Sequence, residues 1–401
     1  MAHTDLMTWL DENSIASQIW YVKRLSANDT QANGSHQAGP YLPKEIAFQL
    51  FPQIDRTDIK NPDFWFDLYI DSHADHRRVR AIYYNNRFHG NPKSGRNETR
   101  LTNFGGDASA LLDAESTGAL TVFAFPPGSA TCHVWVCRDE TEEEFVEDRV
   151  GPVEPGKGAI WPPGPLLRIA TRPLSSCYLG PSELPADWLA SFPSGEEIIA
   201  KAIEMRSESM LNADLRLIRR RLCEFEIFRS VEEAIELPAI QNGFSSIDEF
   251  VARAQTILQR RKSRSGRSLE LHVKAVLEDS GLAAETHFSH GSESESGKRP
   301  DFIFPSVAAY RNPAFPGERL RMLAVKTTCK DRWRQVIDEA KRIRTKHLLT
   351  LQEGVSESQF RQMVEADVRL VVPTPIIDSY PKSIRPHLQS LESFIADVRT
   401  L

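Results

Sequence analysis

Four residues have the types and the spacing to do chemistry on a phosphodiester. They are Glu270 in Ser268-Leu269-Glu270, Asp301 in Arg299-Pro300-Asp301-Phe302-Ile303-Phe304-Pro305, Lys326 in Leu323-Ala324-Val325-Lys326-Thr327-Thr328-Cys329-Lys330-Asp331-Arg332, and Glu339. Hydrolysis of such an ester needs a hydroxide, an in-line attack and neutralisation of charge at phosphorus. A hard divalent cation held by carboxylates supplies much of this. A lysine adds positive charge beside the attacking water and the phosphate. Three carboxylates and one ammonium therefore read as a metal-dependent nuclease core.

These side chains meet only if particular elements position them. Residues 301–304 and 320–328 read as strands, with Asp301 at the start of the first and Lys326 near the end of the second. Alternation puts Leu320, Met322, Ala324 and Lys326 on one face. If the two strands pair, Asp301 and Lys326 meet at one sheet edge. Glu270 falls on a helix over residues 269–282. Glu339 falls about two turns into a helix over residues 332–344, at the edge of a stripe made by Trp333, Val336, Ile337 and Ala340. Pro300-Asp301 followed 25 positions later by Lys326 is a short nuclease pattern. Its usual acid two residues before the lysine is replaced by Ala324, so Glu339 has to supply that carboxylate. Taken singly, each residue has a plainer role: a solvated helix glutamate, a turn aspartate, a lysine reaching past a strand end.

Further strands at 348–351 and 368–372 alternate with helices at 356–366 and 387–398, which argues for an α/β layer around a central mixed sheet. Residues 195–282 are helical in pattern, with Leu215, Leu217, Ile218, Leu222, Phe225, Ile227 and Val231 near a 3.6-residue period. Ser246 and Glu249 have capping-box spacing. Residues 289–297 read as a polar, mobile loop.

Residues 1–172 read as mainly β. Strand-like runs lie at 81–84, 120–125 and 133–136, turn-rich pieces separate them, and a short helix is expected near 43–51. A barrel or sandwich suits them. Residues 173–192 are rich in proline and serine and read as a linker, leaving 193–401 as the second domain. The chain has 401 residues and 40% hydrophobic content, enough for two or three cores. No run of about 18 apolar residues suggests a membrane span, and the first residues lack a signal-peptide pattern, so a cytoplasmic location is expected. The five scattered cysteines suit a reducing compartment better than a disulfide framework. Cys132 and Cys137 sit an odd number apart on a strand, hence on opposite faces, which reads as buried thiols and not zinc ligands.

The net charge of −6 does not advertise a nucleic-acid binder, but its placement does. Between residues 251 and 269 there are six basic residues and no acid; between 77 and 100 there are seven basic residues against Glu98. Two anionic surfaces are thereby suggested.

Longer words sharpen this reading. Arg261-Lys262-Ser263-Arg264-Ser265-Gly266-Arg267-Ser268-Leu269-Glu270-Leu271, residues 320–335, Val22-Lys23-Arg24-Leu25-Ser26-Ala27-Asn28-Asp29-Thr30, and His36-Gln37 before Tyr41 resemble the EcoRII family of type IIE restriction endonucleases. The resemblance implies a homodimer that cuts duplex DNA at CCWGG with Mg²⁺, requires a second, effector copy of the site, and works beside a cognate DNA methyltransferase. It implies a C-terminal nuclease domain of the PD-(D/E)XK superfamily and an N-terminal DNA-binding pseudobarrel akin to the plant B3 domain. Carried over by motif, Glu270, Asp301, Lys326 and Glu339 form the active site, with Asp301, Glu339 and Glu270 on the metal. The family's permuted motif, with its second glutamate further along, accounts for Ala324. Tyr310 matches a tyrosine placed at that site. Lys330, Asp331 and Arg332 read C:G pairs, since Lys and Arg donate to guanine and Asp accepts from cytosine; the local alternative is a helix start capped by Asp331. Arg261, Lys262, Arg264 and Arg267 hold the DNA backbone. His36, Tyr41, Arg96, Glu98 and Arg100 match the effector-DNA neighbourhood, although the loop at 91–95 is longer and Thr99 stands where a lysine is expected. Two other functions are open: a DNA-binding regulator with a silent nuclease core, and a repair nuclease of loose sequence preference.

Overall fold

The computed structural model describes residues 6–14, 18–34, 39–90, 95–106, 108–161, 177–208, 210–330 and 332–401. The chain divides into two compact units. One comprises residues 1–172 with 352–361 and 378–386; the other comprises 173–351, 362–377 and 387–401.

The first unit is a curled seven-stranded sheet. It carries helices α1 (Leu6–Asn13), α2 (Lys44–Leu50) and α3 (Glu140–Val150), and strands β1 (Ile19–Arg24), β2 (Asp63–Ile70), β3 (Asp75–Tyr84), β4 (Glu98–Thr102), β5 (Leu120–Phe125), β6 (Thr131–Val136) and β7 (Gly158–Trp161). The strand order is β4-β3-β2-β6-β5-β1-β7. Interior strand β5 is buried along its whole length. Its alternation feeds two cores: Leu120, Val122 and Ala124 join Trp9, Trp20 and Trp135, while Phe123 and Phe125 join Phe51, Phe66 and Leu68. Cys132 and Cys137 are buried on these opposite sides and neither is in a disulfide.

The second unit begins with α4 (Ala186–Ala190), α5 (Gly195–Met205), α6 (Ala213–Asn242) and α7 (Ile247–Asp279). The helix opened by Ser246, whose hydroxyl accepts the Glu249 N–H at 3.1 Å, runs unbroken for 33 residues. Separate helices were expected here. Gly266 does not interrupt the ladder, because the C-terminal half is clamped by packing of Leu269, Val273 and Val276 on the sheet. Residues 177–192, expected as a linker, pack instead: Cys177, Leu179, Leu184 and Trp188 bury against Ile198, Ile227 and Val231. Cys177 is disulfide-bonded to Cys223. This corrects the expectation of free thiols, which composition suggested because pairing across 46 residues leaves no local trace.

The mixed sheet consists of β8 (Ser289–His290), β9 (Phe302–Phe304), β10 (Arg321–Lys326), β11 (Lys346–Thr350) and β12 (Val368–Val371), in the order β12-β11-β10-β9-β8. β9 and β10 are antiparallel, whereas β10, β11 and β12 are parallel. Leu323 and Val325 face the core shared with α6 and α7. Short helices α8 (Val307–Arg311) and α9 (Trp333–Ile337) flank β10, and α10 (Glu357–Glu365), α11 (Thr374–Ile377) and α12 (Leu391–Val398) complete the chain. Among the described residues no helix is long and apolar enough to cross a membrane.

Candidate active site

Antiparallel pairing sets Phe302 opposite Leu323, so Asp301 lies just beyond β9 alongside the last residues of β10. Its Oδ2 accepts the Val325 N–H at 2.7 Å and stands 3.9 Å from the Lys326 ammonium. Burial raises the Asp301 carboxyl; Lys326 opposes that rise and the negative charge of Glu270 adds to it. Glu270 projects from α7 and lies 3.7 Å from His290 Nε2. The His290 ring stacks on Phe302 at 4.8 Å.

Glu339 is not on a helix. α9 ends after five residues at Ile337, and Ala340 takes the left-handed conformation, φ 45°. A turn therefore carries Glu339; of the apolar stripe that suggested a longer helix, Trp333, Val336 and Ala340 are buried whereas Ile337 is exposed. Burial pushes the Glu339 carboxyl up to about 7, and repulsion from Asp301 adds to the rise; Lys326 works the other way. Oε2 of Glu339 is buried with no hydrogen-bond partner among the described residues. Glu270, Asp301, Lys326 and Glu339 thus share one electrostatic neighbourhood, drawn from a helix, a strand edge, a strand end and a turn.

These residues suit a divalent metal. Magnesium-type ions commonly take only one or two carboxylates, with water and substrate phosphate completing the shell. Asp301 and Glu339 repel each other, and Glu339 offers an unsatisfied oxygen. Among the described residues no cluster of three or more His, Cys, Asp or Glu side chains is arranged to hold an ion alone. Any ion here relies on the two carboxylates and on the substrate.

Other expected site residues separate. Tyr310 is buried on α8 and its hydroxyl donates to Glu295, with its own acidity pushed to about 12 by burial and by that bond. Arg261 donates to Glu232 at 2.8 and 2.7 Å, and Arg264 to Glu224 at 3.0 Å while lying over Phe225 and Phe228. Arg261 and Arg264, both expected on the DNA backbone, are engaged on α6 in this DNA-free structure. Removing one partner of a buried pair costs about 3–5 kcal/mol, against roughly 0–1 for an exposed pair, so Arg264 is held there firmly. Lys262 and Arg267 instead line a groove of about 560 Å³ with Ser263, Gly266, Glu270 and His290. Lys330 and Arg332 are half-buried between β10 and α9; Asp331 lies outside the described residues.

In the first unit Tyr41 bridges Arg100, which is 3.2 Å from Glu98 and donates to the carbonyls of Asn28 and Gly39. Arg96 sits over the Tyr84 ring at 5.4 Å. These four residues gather at one end of β4; His36 lies outside the described residues.

Sequence reasoning missed His290, Glu295, Lys298 and Lys346. The first three fall in or beside the stretch 289–297 expected to be mobile. That stretch forms β8 and a tight turn, with the Ser294 N–H donating to the Lys298 carbonyl and the Lys298 N–H to the Glu295 carbonyl, each at 2.9 Å. Its charged residues were a signal, but nothing local gave them partners.

Residues 228–395 match the family described as EcoRII C terminal, and residues 14–165 match restriction endonuclease EcoRII, N-terminal. The chain is 43% identical over 402 residues to the type II restriction enzyme EcoRII of Escherichia coli, spanning 98% of this chain and 97% of that protein. Among solved structures, metal-depleted Ecl18kI in complex with uncleaved, modified DNA is similar over 55% of this chain and 84% of its own, at 18% identity and TM-score 0.44. The UbaLAI restriction endonuclease B3 domain with cognate DNA is similar over 39% of this chain and 96% of its own, at 18% identity and TM-score 0.26. Identity of 43% over almost the whole of both chains, with family models matched at both ends, places this chain in the EcoRII family of type II restriction enzymes, site-specific endonucleases that depend on a divalent metal.

Proposed function

We propose that this protein cuts both strands of duplex DNA at CCWGG, using Mg²⁺ held by Asp301 and Glu339 with Glu270 beside them. The observation that carries this is the convergence of Asp301, Lys326 and the unsatisfied Glu339 oxygen at the end of β10. When bound, the ion supplies Lewis acidity at the phosphate and a water of lowered pKa. Lys326 places its ammonium where charge develops on the reacting phosphate. Val325, through its N–H, holds the Asp301 carboxylate in place. In sequence Lys330, Asp331 and Arg332 follow Lys326 by four to six positions, which couples base readout in the major groove to the position of the reacting bond. Lys262 and Arg267 meet phosphates along the groove beside Glu270.

Residues 193–401 act as the catalytic domain, and residues 1–172 as the domain that binds an effector copy of the site through His36, Tyr41, Arg96, Glu98 and Arg100. The active species is a homodimer in the cytoplasm, since a two-fold symmetric site is matched by a two-fold symmetric protein. A methyltransferase of matching specificity protects the host. Digesting DNA of known sequence in Mg²⁺ and sequencing the ends tests the reading. Uniform ends at CCWGG support it; scattered ends favour a loose repair nuclease; intact DNA favours a silent core in a DNA-binding regulator.

A further inference from the structure

The two carboxylates proposed for the metal repel each other in a buried setting, so something must hold Glu339 near Asp301 before a cation arrives. The turn that carries Glu339 does little for itself. Its own backbone bonds include Glu339 N–H to the Val336 carbonyl at 3.2 Å, Asp338 N–H to the same carbonyl, and Ile343 N–H to the Ala340 carbonyl at 2.9 Å. Side chains from elsewhere hold the rest. The Glu295 carboxylate accepts the Lys341 N–H at 2.9 Å and the Tyr310 hydroxyl. The Tyr310 oxygen in turn accepts the Arg342 N–H at 3.2 Å. The Lys298 ammonium donates to the Asp338 carbonyl. The Lys346 ammonium donates to the Ala340 carbonyl at 2.7 Å and to that of Ile343. Backbone groups on both sides of Glu339 are thereby tethered to the turn at 294–298, to α8 and to β11.

We infer that Glu295 and Tyr310 are positioning residues that hold the turn bearing Glu339 against Asp301 and so preform the metal site. Both lone functions of the Tyr310 hydroxyl are engaged, its proton on Glu295 and its oxygen on Arg342, so it acts through the turn and not on the phosphate. The Glu295 carboxylate is itself fixed by the short turn that pairs Glu295 with Lys298. Without the tethers, mutual repulsion of the two carboxylates moves Glu339 away. The inference rests on Glu339 being a metal ligand.

Mn²⁺ binding measured by electron paramagnetic resonance tests this, on the full-length protein bound to a duplex whose scissile linkage resists hydrolysis. Partners that orient metal ligands typically matter by about 10- to 100-fold in metal affinity. Glu295→Ala is expected to weaken Mn²⁺ binding by roughly that factor, with metal-free DNA binding unchanged. Glu295→Gln keeps an oxygen for the Lys341 N–H and restores most of the loss. Tyr310→Phe removes only the hydroxyl, and it decides the matter if Glu295→Ala does not fold; it too weakens Mn²⁺ binding, by roughly tenfold. Wild-type Mn²⁺ affinity in Tyr310→Phe and Glu295→Ala, or no rescue by Glu295→Gln, overturns the inference. Glu339→Gln is measured in parallel. If it keeps wild-type Mn²⁺ affinity, the metal-ligand assignment itself falls. If it alone loses the metal, only the positioning role falls.

Discussion

One oxygen of Asp301 faces two neighbouring residues of β10: Oδ2 accepts the Val325 N–H at 2.7 Å and lies 3.9 Å from the Lys326 ammonium. The carboxylate is thus locked to the strand that carries the lysine. The carboxylate's position is set by a backbone N–H, and the lysine side chain reaches it from the next residue of the same strand. In the function proposed above, that arrangement would let one strand end present both a metal ligand and a cation to the same phosphate.

Lys326→Ala should abolish most cleavage while leaving specific binding nearly intact. Loss of one preorganised charge at a reacting group costs about 10²- to 10³-fold in rate. Single-turnover cleavage in Mg²⁺ and gel-shift affinity in Ca²⁺ separate the two effects. Full activity in the variant would sink the assignment.

Glu339 makes the metal-free protein sensitive to pH. Its folded carboxyl is raised to about 7, above about 4.3 for an unfolded glutamate. The folded state therefore binds more protons across that window. The stability this contributes is complete below pH ~4.3 and is lost as pH rises through about 7. Thermal unfolding without metal should show Tm falling across this range more steeply than in Glu339→Gln, and saturating Ca²⁺ should flatten the difference. Identical profiles for the two proteins would contradict the shift.

Lys262 and Arg267 should differ in kind from Arg261 and Arg264. Replacing either groove residue with Ala should reduce the slope of log K against log salt by about 0.9, for one phosphate lost. Arg264→Ala should instead lower stability by about 3–5 kcal/mol by stranding the buried Glu224. Salt titrations of DNA binding and urea unfolding of the same variants check both. A slope unchanged in Lys262→Ala and Arg267→Ala would remove them from the interface.

Deleting residues 1–172 should leave an endonuclease that depends less on a second site. The sheet β8–β12 with Asp301, Lys326 and Glu339 lies entirely in the remaining chain. Residues 352–361 and 378–386 group with the deleted part, so a lower Tm accompanies the change. Cleavage of one-site against two-site plasmids measures the dependence. A folded fragment with undiminished need for two sites would refute the effector role.

Much of the architecture was readable one element at a time. The runs at 120–125 and 301–304, and the α2 and β12 segments, lie within a residue or two of where alternation and turn residues put them, because burial of one face leaves a periodic trace. Family-length words around Glu270 and Lys326 identified the chemistry. Four features were not readable: the Cys177–Cys223 bond, the unbroken α7, the engagement of Arg261 and Arg264 on α6, and the short α9.

By itself, then, the sequence determined the residue types at the site and the strand and helix periods that bring Asp301 beside Lys326, because both are written in local order. Only the tertiary structure decided how Glu339 arrives there. Its turn is tied by Glu295, 46 positions away from Lys341, and by Tyr310, 32 positions away from Arg342. Contacts at such separations depend on where packed elements come to rest, and periodicity carries no record of that.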